Sequence, residues 1–313
     1  MLTNFSIIDK LDSMVVKYTC VLDGAIGAGK SSSFELVGKW LIEKYGSDNV
    51  VLIPEYIDAN EDAEIYRRSL MLYLNGTFND LTFQNIIQHY YIKELDPSRL
   101  DGKIVIMERA MSSSISIFCN LAYHRGRLDD TNFAVLHGNC LECDRHTNTP
   151  NYFLGNFQFS RVYSTVSLDE VVSNIKSIIE NDITNGIRNR VIGLDCDFLI
   201  CEERIKRRGR GDEVKAYDST YTSLNTSMYS KLYDFLESPR HSIRFTELSS
   251  IVSQSKLDAF LENQARIYID KNNDRDPNDR NFIREVMDII RPGIDNSEYS
   301  LQFHNIEECF AKK

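Results

Sequence analysis

No apolar run in this 313-residue chain approaches the roughly 20 residues that a bilayer-spanning helix needs. The first 17 residues mix Asp9, Asp12, Lys10 and Lys17 with isolated apolar positions. They lack the apolar centre of a signal peptide and are too acidic for a transit peptide, so a soluble, cytoplasmic protein without a membrane partner is expected. Positive charge is also short: 36 Lys and Arg against 46 Asp and Glu leave a net charge of −10. That balance argues against gripping nucleic acid through its phosphates, and any nucleotide-like partner must be small and locally held. Disulfide scaffolding is excluded by the pattern of cysteines, seven in number and scattered, which read as reduced thiols. Proline is scarce, at 6 residues, and neither repeats nor low-complexity tracts occur; with 42% hydrophobic and 26% charged residues the chain has ordinary globular composition.

What is present is an alternation of short apolar runs and helical periodicities. Residues 18–22 read as a strand, and a helix starts at Lys30 with Phe34, Val37 and Leu41 on one face and Gly46 as its stop. Gly38 inside that helix costs propensity. Strands are expected at 50–53, 104–107, 190–194 and 242–245. Helices are expected over 65–74, from about Asp80 to a point before Pro97, from about Arg109, through 179 from the capping box Ser167-Leu168-Asp169-Glu170 that opens it, and over 198–206 capped by Asp197. Strands alternating with helices predict an α/β fold: a parallel sheet with helices on both faces. Residues 121–166 read as a polar, loop-like insertion. Residues 251–313 carry two more helical patterns, around 257–267 and 282–290. The expected organisation is a core over 1–250 and a helical extension over 251–313 packed on the same domain.

Gly24-Ala25-Ile26-Gly27-Ala28-Gly29-Lys30-Ser31 fits the phosphate-binding G-x-x-x-x-G-K-[ST] pattern in full and lies between a predicted strand and helix, the context that confirms it. Glycines let successive N–H groups turn inward onto phosphate oxygens, and the helix N-terminus adds its positive end. Residues 24–32, with Gly24, Ala25, Ile26, Gly27, Ala28, Gly29, Lys30, Ser31 and Ser32, are therefore the predicted ATP cradle; Lys30 reaches the β/γ-phosphates and Ser31 ligates Mg²⁺. No base-reading N-K-x-D is present, which argues against a GTPase. The strand at 104–107 ends in Glu108-Arg109. There Glu108 can hold the metal, and Arg109 can neutralise a moving phosphoryl group or orient its acceptor; a structural ion pair is the bland alternative.

Four stretches together resemble the deoxynucleoside kinase family of mitochondrial thymidine kinase, deoxycytidine kinase and the insect multisubstrate kinases. They are the loop from Asp23 to Ser32, Pro54-Glu55 where the family has Pro-Glu-Pro, Glu108-Arg109-Ala110 where it has Glu-Arg-Ser, and the basic run from Arg204 to Glu213 where it has an arginine-rich lid. The resemblance covers residues 18–247 in the same order. It implies a P-loop fold with an arginine-rich lid, to which this chain adds its C-terminal helices, together with ATP and Mg²⁺ as cofactors and transfer of a phosphoryl group to a deoxynucleoside 5′-hydroxyl. Glu55 would take the hydroxyl proton, and Arg208 and Arg210 would clamp ATP. Tyr73 and Gln84, eleven residues apart as in the family, would bind sugar and base together with Glu213. Homodimerisation is implied by the same analogy.

Departures from the family pattern bear on specificity. Ala110 replaces a serine, Tyr56 replaces a proline, and Tyr91 and Ser114 stand where deoxycytidine kinases carry a base-reading Arg/Asp pair, so the sequence leans to thymidine or pyrimidines. The long 121–166 and 251–313 segments suit a divergent, viral branch. Two other functions remain open: a thymidylate-type monophosphate kinase, although residues 73–91 offer no Arg or Lys for an acceptor phosphate, and an inactive nucleotide-binding regulator. His137, Cys140, Cys143 and His146 have zinc-binding residue types but crowd into ten residues, so free side chains are the favoured reading.

Overall fold

The computed structural model describes residues 16–59, 63–74, 76–209, 217–272 and 283–284. Five strands, β1 (Tyr18–Gly24), β2 (Val50–Ile53), β3 (Ile104–Glu108), β4 (Gln158–Tyr163) and β5 (Asn189–Asp195), form one sheet in the order β2-β3-β1-β5-β4. Every pairing is parallel. β1 is buried along its whole length, which explains its unbroken apolar run: a central parallel strand is covered on both faces and needs no polar alternation. The register sets Leu22 opposite Glu108 on one side and Ile192 on the other, so the carboxyl ends of three central strands come level. In open α/β sheets ligands collect in the crevice at that end, where the strand order reverses.

The long helices are α1 (Lys30–Tyr45), α2 (Ala63–Leu74), α3 (Asp80–Glu94), α4 (Asp130–Thr147), α5 (Leu168–Asn185), α6 (Phe198–Arg208), α7 (Ser219–Leu236) and α8 (Gln254–Asn272). α1 buries Phe34, Val37 and Leu41 against the sheet, each such side chain contributing about 1.5–3 kcal/mol. Gly38 has a packing reason: a Cβ there would lie 2.9 Å from the Leu52 side chain, so the missing methyl lets α1 approach β2. The expected caps of α5 and α6 are present, with Ser167 accepting from the Glu170 N–H and Asp197 from the Leu199 N–H.

Two expectations are corrected. Residues 121–166 are not a loop: they hold the end of a helical stretch over 111–124, all of α4, and strand β4. α4 turns His137, Asp144 and Thr147 inward beside Phe133, Leu136 and Cys140, and this polar packing blurs its apolar period. Residues 242–245 are not a sheet strand. Ile243 makes one backbone bond to Tyr152, and a 3₁₀ helix starts at Phe245. β4, a partly exposed edge strand, takes that place in the sheet. The helical pattern at 257–267 is found within α8, whereas that at 282–290 lies outside the described residues apart from 283 and 284. No described helix is long and apolar enough to cross a membrane.

Candidate active site

The loop between β1 and α1 turns at Gly27 and Gly29, with φ of 84° and 94°. A Cβ on Gly27 would meet the Cys201 carbonyl at 2.5 Å, so glycine is required both by the backbone and by the close approach of α6. Arg204 of α6 ties the loop in place, donating to the carbonyls of Gly27 (3.4 Å) and Ser164 (2.8 Å). Lys30 is buried, and its Nζ donates to the carbonyls of Gly24 and Ala25, both at 3.0 Å. Burial, then the like charge of Arg109, lower its pKa to about 8.

Three acidic groups and one arginine meet at the strand ends. Ser31 donates its hydroxyl to Glu108 at 2.7 Å. Burial, followed by the charge of Glu55, pushes Glu108 up to about 7. Arg109 donates through Nε to Glu55 at 3.2 Å and lies 3.7 Å from Asp23. Burial alone would raise the pKa of Glu55, but the charges of Arg109 and Lys30 outweigh it and hold the carboxyl below its ordinary value. Arg109 adopts φ 69°, a left-handed conformation that costs a non-glycine residue on the order of 1 kcal/mol and persists where its surroundings fix it. Those surroundings are Asp23, the Tyr229 hydroxyl and the face of Phe118, 5.0 Å from the guanidinium carbon. Asp23 itself accepts from Ser113 and from the Gly24 N–H, and Tyr152 donates to it as well.

A single cavity of about 1000 Å³ joins these groups to a second cluster on α2 and α3. Of the residues singled out in the sequence, Ile26 to Ser32, Glu55, Tyr73, Gln84, Arg109 and Arg208 line it. Gly24 and Ala25 form the root of the loop, and Glu108 lies behind Ser31. Arg208 ends α6, and together with Lys206 and Arg207 it crowds the last turn, where the helix dipole favours cations. Arg210 and Glu213 lie outside the described residues. In the second cluster Tyr73 stacks on Phe83 (4.3 Å between ring centres) and donates to Asp80 at 2.8 Å. Gln84 accepts at Oε1 from the Ser114 hydroxyl at 2.8 Å. The hydroxyl missing at Ala110 removes a side-chain cap from the turn that follows β3.

Ser31 and Glu108 offer one hydroxyl and one carboxylate oxygen side by side. That set suits a hard cation such as Mg²⁺, which takes few protein ligands and completes its octahedron with water and phosphate oxygens. His137, Cys140, Cys143 and His146 all lie on α4. His137 and Cys140 are buried while the side chain of His146 is 59% exposed beside Glu142. Among the described residues no three His, Cys, Asp or Glu side chains are grouped to hold a metal. Phe118, Tyr229 and Arg125 carry no signal in the sequence. Asp23 and Arg204 carry one only as members of the phosphate-loop and lid motifs.

A P-loop on a parallel sheet, with an Arg and two carboxylates at adjoining strand ends, defines a kinase-type phosphotransferase. The deoxynucleoside kinase family model matches residues 20–177, and the chain belongs to that family. Among solved structures, thymidylate kinase from Ehrlichia chaffeensis matches at 20% identity with a TM-score of 0.35, covering 61% of this chain and 98% of that one. No curated protein matches.

Proposed function

We propose that the protein transfers the γ-phosphoryl group of ATP to the 5′-hydroxyl of a deoxynucleoside, with thymidine or another pyrimidine nucleoside as the favoured acceptor. The observation that carries this reading is Glu55: a carboxylate kept ionised by Arg109 and Lys30, in the same cavity as the phosphate loop. An ionised carboxylate is a proton acceptor for an alcohol and repels an acceptor that already bears a phosphate dianion.

In this mechanism the N–H groups of residues 24–32 and the start of α1 bind the triphosphate, and Lys30 leaves its carbonyl partners for the β/γ oxygens. Ser31 and Glu108 would hold Mg²⁺, which supplies charge neutralisation on the phosphates when bound. Glu55 orients the 5′-hydroxyl and takes its proton as the oxygen attacks phosphorus. Arg109, stiffened by Asp23 and Tyr229, neutralises charge on the group in flight, as do Arg208 and Arg210 from the lid. Tyr73, Gln84 and Glu213 hold sugar and base, and closure of the lid excludes water as a competing acceptor. ATP and the nucleoside are thus the small-molecule partners, and a homodimer is the assembly that the family analogy suggests.

A second reading, a monophosphate kinase, gains one observation: Arg125 and Arg127, remote in sequence from α2 and α3, line the same cavity. A coupled assay offering thymidine and thymidylate side by side separates the two. Turnover of thymidine supports the proposal, and turnover of thymidylate alone contradicts it.

A further inference from the structure

The cavity has a wall that neither the phosphate motif nor the α2–α3 cluster explains. It is built by Arg125, at the end of the helical stretch over 111–124, and by α8, which belongs to the C-terminal extension. Arg125 is 8% exposed, and among the described residues its guanidinium makes no hydrogen bond and no ion pair. Its Nε is fully buried with no hydrogen-bond partner among the described residues. Burial, then the like charge of Arg127, lower its pKa, and the compensating carboxylate, Asp80, is already engaged by Tyr73 and lies 3.6 Å from Arg127. Phe260 of α8 holds the guanidinium in place, its ring centre 5.0 Å from the guanidinium carbon.

Burying an arginine whose donors stay idle is unfavourable unless something accepts from it, and this one faces a cavity. Across the same cavity Gln84 has its oxygen taken by Ser114, while its amide nitrogen has no hydrogen-bond partner among the described residues. Both groups therefore offer donors. α8 is tied to the start of α7, because Asn263 and Gln264 donate to Asp218, the N-cap of α7. Phe260 and Gln264 line the cavity from a segment remote in sequence from α2 and α3, so α8 supplies part of the cavity wall.

We infer that Arg125, positioned by Phe260, is a specificity-determining residue that donates hydrogen bonds to an oxygen of the acceptor molecule, and that α8 completes the acceptor site. The inference rests on the reading of this cavity as the acceptor site. The oxygen can be a carbonyl of the base or the 3′-hydroxyl of the sugar; the chemistry recognised is the same.

The test compares wild type with Arg125→Met, which keeps the stem and removes the donors, and with Arg125→Lys, which keeps the charge but loses the planar fork. Steady-state constants are measured for ATP and for the four natural deoxynucleosides and a 2′,3′-dideoxynucleoside, alongside the Tm of the ligand-free proteins. Loss of a hydrogen bond from a charged donor predicts an acceptor KM at least tenfold higher for Arg125→Met, with the KM for ATP within twofold of wild type. The Tm without ligand should hold or rise, because an uncompensated buried cation has been removed. A penalty confined to carbonyl-bearing bases places the contact on the base, and one that vanishes for the dideoxynucleoside places it on the sugar; either supports the inference. An unchanged acceptor KM in both variants overturns it, as does a fall in ligand-free Tm with Arg125→Met that Arg125→Lys restores, since Arg125 would then be structural. If wild type turns over only monophosphates, the proposed reaction fails, while the same comparison of acceptor KM still decides the role of Arg125.

Discussion

The two ends of the cavity are built in opposite ways. The phosphate end comes from consecutive residues: nine positions between Gly24 and Ser32, braced by Glu108-Arg109 on the adjoining strand. Its groups point at each other and are satisfied, Lys30 by loop carbonyls, Ser31 by Glu108 and Arg109 by Glu55, Asp23 and Tyr229. The end proposed to take the acceptor is assembled from α2, α3, the 111–124 stretch, α7 and α8, and among the described residues the Arg125 guanidinium and the Gln84 amide nitrogen have no hydrogen-bond partner there. A machine for moving one fixed group can be pre-satisfied and local, whereas the surface that selects a partner keeps its hydrogen-bonding capacity for that partner.

This contrast can be broken at either end. The largest effect is expected from Glu55→Gln, which keeps shape but cannot take a proton. Its kcat should fall by about 10²–10⁴ for every acceptor while ATP affinity measured by equilibrium binding is retained. A loss of ATP binding instead would make Glu55 part of the phosphate end. Next comes Gly27→Ala, whose Cβ would strike the Cys201 carbonyl at 2.5 Å. It should weaken ATP binding by at least tenfold and leave the ranking of acceptors unaltered, a pattern that a nucleoside panel reads directly. Ser114→Ala frees the Gln84 amide to turn. The lost bond, worth about 1 kcal/mol, should shift acceptor KM values about fivefold and reorder them, with ATP constants untouched. A uniform change across acceptors would count against Gln84 as a base reader.

The smallest effect on turnover is expected where neither end is disturbed, and there the readout is stability. Asp144 on α4 is buried, and burial pushes its carboxyl up to about 7 although Asn151 and Thr149 donate to it. The folded state therefore holds the proton more tightly than the unfolded chain. The contribution of this one group to stability should be fully present below about pH 4, be lost at up to roughly 1.4 kcal/mol per pH unit as the pH rises toward 7, and then level off. Denaturant unfolding between pH 5 and 8 measures this, and Asp144→Asn should flatten the profile.

The same contrast governs how much the sequence reveals. Phosphate binding is legible because the chemistry needs glycines, a lysine and a hydroxyl at fixed spacing on one turn. Glu55, Glu108 and Arg109 are legible because they stop apolar strands, and Tyr73 and Gln84 through their spacing on two helices. Arg125 and Phe260 are 135 residues apart and meet only because α8 folds back across the cavity; no local pattern announces that contact. α4 is obscured because its inward face carries His137, Asp144 and Thr147, polar groups among the apolar ones, with Asp144 and Thr147 both bonded to Thr149. The strand order is hidden for a related reason: edge strand β4 alternates too weakly to stand out, while residues 242–245 look like a strand but are used to hold Tyr152.

The proposed chemistry stands on the placement of the Glu55 carboxylate against an alcohol oxygen. A crystal structure of the protein with a non-hydrolysable ATP analogue and thymidine measures it directly. The expected result is a 5′-oxygen within hydrogen-bond reach of Glu55, about 2.6–3.2 Å, and in line with the γ-phosphorus. A nucleoside bound with its 5′-oxygen elsewhere, or Glu55 turned wholly onto Arg109 with no contact to the sugar, would contradict it.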